Sequence, residues 1–306
     1  MLMLVPVIIK IFFPIVLGYL VKEIKYIDEK SAKYLRILVV RITAPALIFT
    51  SIYKSDITIL NQLLPVSISF VFITLVLFII AFLITIPVKD KSKRIILMWG
   101  LTFSNYAWIG WAVLKHSFGQ AGLNTGVFFV TFWWPTLLIG GFLIALLNKG
   151  INVKKFPLKE YLLNIIIPII SLILGFTFNI SDIKVPGYIF SPLFSFGEMT
   201  IPLILFTVGL SISFRDSLNN LKILIPYVVI KPILGLMAGL LVLFIINLKN
   251  TTSYKSIIIL STMPVATLIP VLGDMFNLDQ KFISAMIIVS TVFSLITIPI
   301  VLYYVN

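Results

Sequence analysis

The chain of 306 residues has no cysteine and a single histidine, His116. The first absence excludes disulfides, thiolate metal sites and thiol catalysis, and the second excludes a histidine-rich metal site. Charge is also scarce. Charged residues make up 11% of the chain, where an ordinary soluble domain carries roughly 25%. With apolar residues at 60% and a mean hydropathy of +1.13, too little polar side chain remains to cover a water-facing surface. Most of the chain is therefore solvated by lipid, and the fold class expected is an all-α polytopic membrane protein. The apolar runs lack the paired aspartates, serine–histidine dyads and aspartate clusters that intramembrane enzymes need. No enzymatic activity, cofactor or metal is expected.

The charge that is present is lopsided: 24 Lys and Arg against 11 Asp and Glu, a net +13. In a soluble protein this would point to nucleic acid; in a membrane protein it points to cytoplasmic loops, so no nucleic-acid partner is expected. A membrane-crossing helix needs about 20 predominantly apolar residues. Ten such stretches are expected, at approximately 3–21, 35–53, 63–87, 95–115, 124–147, 160–178, 190–212, 222–247, 256–275 and 282–304. The N-terminus has no basic region or small-residue cleavage site, so it reads as the first span and not as a removable signal. Loops after the odd spans hold 15 of the bases and loops after the even spans 5. The odd loops are then cytoplasmic and both termini lie outside, with the plasma membrane as the expected location.

The chain also repeats itself. Thr43-Ala44-Pro45-Ala46-Leu47-Ile48-Phe49-Thr50 matches Thr200-Ile201-Pro202-Leu203-Ile204-Leu205-Phe206-Thr207 at an offset of 157. Phe13-Pro14-Ile15-Val16 answers Ile167-Pro168-Ile169-Ile170, Leu64-Pro65 answers Ile225-Pro226, and Ser117-Phe118 answers Met275-Phe276, at offsets of 154, 161 and 158. The spacing divides one membrane domain, 1–306, into five-helix repeats over 1–147 and 158–306. An odd number of spans per half makes the repeat inverted, the arrangement that underlies alternating access. Sites in such folds lie at discontinuous helices near the midplane. The best candidates are span 4, with Asn105, Tyr106 and Gly110, and span 9, with Pro264, Thr267 and Pro270, where two prolines remove backbone donors in mid-membrane.

These residues carry a resemblance. Asn105-Tyr106-Ala107-Trp108-Ile109-Gly110-Trp111-Ala112, the Pro264–Pro270 segment, and Thr200-Ile201-Pro202-Leu203 with Gly209 resemble the auxin efflux carrier family, which includes plant auxin exporters and bacterial malate or malonate permeases. The resemblance covers essentially the whole chain. It implies a fold like that of bile-acid/sodium symporters, with spans 1, 2, 6 and 7 as scaffold, spans 3–5 and 8–10 as a mobile unit, and broken crossover helices 4 and 9 around the substrate. Ala112 stands where the family's span-4 proline is expected, although its repeat partner Pro270 is present. Helix 4 then either breaks at Gly110 or stays more continuous.

Ionisable residues within spans cost about 2.5–3.5 kcal/mol at the centre and so read as functional candidates. Glu198 is a candidate for coupling to protons or sodium, or for gating, with a structural carboxylate near the outer interface as its alternative. Arg41, its repeat partner, is a gating or substrate candidate; inversion puts it at the opposite depth, where it would snorkel to the cytoplasm. Arg36 lies nearer still to the interface. Lys231 would offset an anionic substrate or meet a freed carbonyl. Asn105 would orient the substrate, and Thr43, Thr200 and Thr267 would add hydroxyls. The function expected is secondary active transport of a small organic anion, a carboxylate such as malate, malonate or an auxin-like acid. A small-anion channel and a transporter-fold receptor are the alternatives. A homodimer is compatible with the sequence.

Overall fold

A computed structural model describes residues 5–27, 29–55, 60–147, 158–212, 220–248 and 250–305. The linker expected between the two halves, and the loop bases Lys149, Lys154, Lys155, Arg215 and Lys249, lie outside the described residues. The described chain is helical throughout, apart from one isolated antiparallel bridge between Ser104 and Val265. In order it forms α1 (Val5–Glu23), α2 (Glu29–Leu38), a π-helical stretch (Val39–Thr43), α3 (Ala44–Tyr53), α4 (Leu60–Thr85) and α5 (Lys91–Thr102). A second π-helical stretch (Tyr106–Gly110) leads into α6 (Trp111–Phe129) and α7 (Trp133–Leu147). Then come α8 (Leu158–Ile180), α9 (Gly187–Glu198), α10 (Thr200–Leu210), α11 (Leu221–Ile246), α12 (Thr251–Ser261), α13 (Ile269–Met275) and α14 (Gln280–Val305).

Among the described residues, six stretches are long and apolar enough to cross a membrane: Val5–Glu23, Tyr34–Tyr53, Leu64–Thr85, Gly187–Leu210, Leu221–Ile246 and Gln280–Val305. They coincide with expected spans 1, 2, 3, 7, 8 and 10. The polytopic membrane class therefore stands. Expected spans 4 and 9 are interrupted, and spans 5 and 6 contain the shorter apolar helices Pro135–Ile144 and Ile166–Ile180. Span 5 is also not the single helix expected over 124–147. Helix α6 continues to Phe129, and α7 begins after a turn, with Pro135 in its first turn. Proline tolerates that position because its missing N–H would have no partner there. Within α6 the backbone leaves helical geometry at Gly119 (φ 61°, ψ −145°), a conformation that only the absence of a Cβ makes inexpensive.

Proline also explains two interruptions that share a sequence. Pro45 cannot donate to the carbonyl of Arg41, and the helix widens to π geometry over Val39–Thr43 before α3 starts. Pro202 cannot donate to the carbonyl of Glu198, and the helix is interrupted at Met199 between α9 and α10. In both cases the missing i→i−4 bond falls one turn before the proline.

Close helix crossings rely on glycine, as membrane packing without a hydrophobic drive requires. A Cβ on Gly18 of α1 would collide with the Phe206 carbonyl of α10, and one on Gly209 would collide with that of Ile15. Likewise, a Cβ on Gly175 of α8 would lie 3.1 Å from the Phe49 carbonyl of α3. The ends of these partners are capped alike. Lys22 Nζ donates to the Ile212 carbonyl just beyond α10 at 2.8 Å. Asn179 Nδ2 reaches the carbonyls of Ile52, Tyr53 and Ser55 at the end of α3, each at 2.8 Å. The half-helices have matching N-caps: Asp90 Oδ1 accepts from Lys93 N at 3.1 Å before α5, and Asn250 Oδ1 from Ser253 N at 2.9 Å before α12.

Candidate functional site

The two interrupted helices meet. After α5 the chain is extended at Phe103, and Asn105 adopts φ −80°, ψ 59° before helix resumes at Tyr106. After α12 the chain is irregular from Thr262 to Leu268. The two gaps lie antiparallel: Asn105 N donates to the Pro264 carbonyl at 2.7 Å, and Ala266 N to the Phe103 carbonyl at 3.1 Å. Val265 N is met by Ser290 Oγ of α14 at 3.0 Å. Backbone groups freed in an apolar interior have thus found partners, as burial demands. Helix 4 is broken after all, and Ala112 plays no part in the break. It occurs upstream, where Asn105 itself acts as N-cap, its Oδ1 accepting from Trp108 N at 3.3 Å and Ile109 N at 3.4 Å. Gly110 serves the packing instead. A Cβ there would come within 2.6 Å of Leu260 Cδ2, so its absence lets α12 approach.

Two cavities adjoin the meeting point, and Thr267 lines both. The smaller, of about 80 Å³, is lined by Asn105, Tyr106, Trp108, Trp111, Trp133 and apolar residues of α3, α6 and α8, with no Lys, Arg, Asp or Glu in its wall. Asn105 is 2% exposed, and its Nδ2 has no partner among the described residues; neither has the indole Nε1 of Trp111. Buried donors of this kind are costly unless something accepts from them. Tyr106 is clamped edge-on between Phe70 and Phe129, at centroid distances of 5.6 and 5.2 Å. The larger cavity, of about 190 Å³, is more polar and lies between α10 and α14, with Arg36, Thr207, Ser211, Pro270, Ser284 and Thr291 in its wall.

The remaining expected site residues are placed as follows. Pro264 contributes its carbonyl, and Pro270 sits at the start of α13 with its carbonyl accepting from Gln280 Nε2 at 3.1 Å. Thr43 and Thr200 are fully buried with hydroxyls that have no partner among the described residues, and neither lines a described cavity. Arg41 lies in the first π-helical stretch and lines neither cavity, although its neighbour Val40 lines the smaller one. Lys231 is 3% exposed and lines neither cavity. Its Nζ donates to the Leu101 carbonyl at 3.2 Å and to Ser104 Oγ at 2.9 Å. Glu198 pairs with Lys115 of α6, at 2.5 and 2.6 Å, in a partly exposed bridge.

Sequence reasoning passed over four contributors. Ser104 was legible as the neighbour of Asn105 in the broken segment. Lys115 was legible too, as a base at the end of span 4 on the same face as Glu198. Trp111 reads as a packing aromatic until its indole N–H is seen to lack a partner. Ser290 carries no sequence signal, because a lone serine in an apolar helix does not reveal what it faces.

Interrupted apolar helices meeting over buried polar groups, with cavities beside the meeting point, are an arrangement that suits a membrane transport protein. The chain belongs to the auxin efflux carrier family: the family model described as membrane transport protein matches residues 3–302. An uncharacterized transporter of Methanocaldococcus jannaschii is 28% identical over 309 residues, covering 95% of this chain and 96% of its own length. An uncharacterized transporter of Methanothermobacter thermautotrophicus is 25% identical over 301 residues, covering 93% of each chain. The family is one of transporters and not of enzymes.

Proposed function

We propose that the protein is a secondary transporter that moves a small organic anion, a carboxylate, by alternating access between two inverted five-helix repeats. The observation that carries the substrate class is the pair of unpartnered buried donors, Asn105 Nδ2 and Trp111 Nε1, on residues of one apolar cavity. A carboxylate accepts from both, and the N-terminal end of the helix that resumes at Tyr106 favours its charge. The aromatic wall, without a lysine or arginine, suits an acid with one carboxylate and an apolar body. A second carboxylate would face Trp108 and Trp133 without a counter-charge.

The repeat reading draws support from hydrogen bonds and crossings at the offset read in the sequence. Gly18 and Gly175, Lys22 and Asn179, and the accepting carbonyls of Ser55 and Ile212 are each 157 positions apart. Inversion gives the two cavities their roles, each serving access from one face, with Thr267 in the wall of both. Glu198 and Lys115 then act as a gate, since their bridge ties α6 to the end of α9 and must part if α6 moves. Coupling to a proton or sodium gradient through Glu198, residence in the plasma membrane with both termini outside, and assembly as a homodimer complete the proposal.

The test is uptake of radiolabelled mono- and dicarboxylates into proteoliposomes, with and without imposed proton and sodium gradients. Saturable monocarboxylate uptake that Asn105→Ala abolishes is the expected result. Uptake indifferent to Asn105, or ion-channel currents in place of saturable flux, overturns the reading.

A further inference from the structure

Lys231 lies in the middle of α11, is 3% exposed, and stands one turn before a close crossing with α12. A Cβ on Gly235 would collide with the Ser261 carbonyl of α12, and one on Gly239 would meet Ser261 Oγ at 2.6 Å. Among the described residues no carboxylate forms an ion pair with it, and no cluster of His, Asp or Glu able to hold a metal is present. Its ammonium instead reaches two oxygens at the end of α5. The Leu101 carbonyl belongs to the last turn of that half-helix, and Ser104 Oγ to the extended segment after it. Carbonyls of a last helical turn are left without amide partners and carry the negative end of the macrodipole. In broken membrane helices, half-helix C-termini and unwound carbonyls are the groups that hold coupling cations.

We propose that the Lys231 ammonium is a tethered cation that permanently fills a monovalent-cation site formed by the Leu101 carbonyl and the Ser104 hydroxyl. The protein thereby carries, at the meeting of its two interrupted helices, the positive charge that a free ion would otherwise bring. Tethering removes the need to collect an ion from solution, so the site does not respond to sodium or potassium. It also fixes the register of α11 on α5, because both acceptors sit at the α5 end. This deepens the transport reading of the same region: charge at the crossing is built in, and a substrate anion arrives against a cation that never leaves.

Melting of the purified full-length protein, followed by tryptophan fluorescence, tests it in choline, sodium, potassium, methylammonium and n-propylammonium chlorides at equal ionic strength. Wild type sets the baseline in each of the five salts, including any response to sodium through Glu198. Lys231→Ala melts several degrees lower in choline and recovers saturably, by mass action, in sodium, potassium or an alkylammonium. n-Propylammonium replaces the deleted atoms from Cγ to Nζ. Lys231→Met, which fills the volume without charge, stays low in every salt. The proposal is overturned if Lys231→Ala responds to cations no more than wild type does, or if Lys231→Met melts like wild type. Should Lys231→Ala resist purification in choline, extraction in n-propylammonium is the deciding measurement: restored yield supports the site, and no recovery in any cation overturns it. No carboxylate enters this assay, so cation rescue without uptake would refute transport alone, and uptake without rescue would refute the tethered cation alone.

Discussion

Asn105 plays two parts with different atoms, and substitution can separate them. Its Oδ1 caps the helix that resumes at Tyr106, through bonds of 3.3 and 3.4 Å, while its Nδ2 is buried and unpartnered. Asn105→Ala removes both. Bonds this long place the cap at the lower end of its range, about 0.5–1 kcal/mol, a melting shift of about 2 °C for a chain of this size. Asn105→Asp keeps the capping oxygen and gains about 0.3–1 kcal/mol from the helix N-terminus. It also buries a carboxylate that no counter-charge in the cavity wall meets, so its melting temperature falls below that of wild type. The same change turns the free donor into an acceptor. A hydrogen bond to a charged group is worth about 1.5–3 kcal/mol, so losing it weakens carboxylate binding roughly 10- to 150-fold. Like-charge repulsion adds to that loss. Paired measurements of melting temperature and of KM for monocarboxylate uptake decide the matter. Unchanged KM in Asn105→Asp would refute the ligand role and leave Asn105 a cap; an unchanged melting temperature in Asn105→Ala would refute the cap.

Three further outcomes follow from the geometry. Gly209→Ala drives a Cβ into the Ile15 carbonyl; backbone on backbone cannot yield as a side chain can, so a loss of about 1–3 kcal/mol is expected in a denaturation midpoint, and an unshifted midpoint would mean α1 and α10 separate freely. The Lys115–Glu198 bridge is partly exposed and so contributes about 1 kcal/mol or less to stability; Glu198→Gln should leave melting nearly unchanged while altering the uptake rate, and the double variant with Lys115→Met should match either single one. With no native cysteine to remove, single-cysteine labelling reads orientation directly: a membrane-impermeant maleimide should label Asp182→Cys on intact cells but Lys91→Cys only after permeabilisation, and the reverse pattern would invert the topology.

The break in helix 4 shows how far local sequence reaches. The proline pair located the interruption in span 9, because a missing N–H acts on its own turn whatever surrounds it. The same rule accounts for the interruptions at Val39–Thr43 and Met199, where unbroken spans were expected. The family proline absent at position 112 was a poor guide to helix 4, where an asparagine side chain, competing for the backbone N–H groups of Trp108 and Ile109, ends one segment and begins the next. Span 5 misled for a related reason. Its apolar run is continuous across Val130–Phe132, and hydropathy reports what solvent a residue prefers without reporting where the backbone turns.

Charged residues divide along the same line. Composition and the length of the apolar runs determined that the chain is a helical membrane protein, since these are properties of solvation summed over many residues. Which acid meets which base was not in the sequence. Glu198 takes Lys115, 83 positions away, and Lys231 takes oxygens of Leu101 and Ser104 about 130 positions away. Those choices depend on the rotation and approach of α6, α9, α11 and α5, which glycines such as Gly235 permit but do not specify. The same holds for the pairing of Asn105 with the Pro264 carbonyl and for the cavities on either side of Thr267. Backbone chemistry broke the helices locally; only their packing decided that the two breaks would satisfy each other.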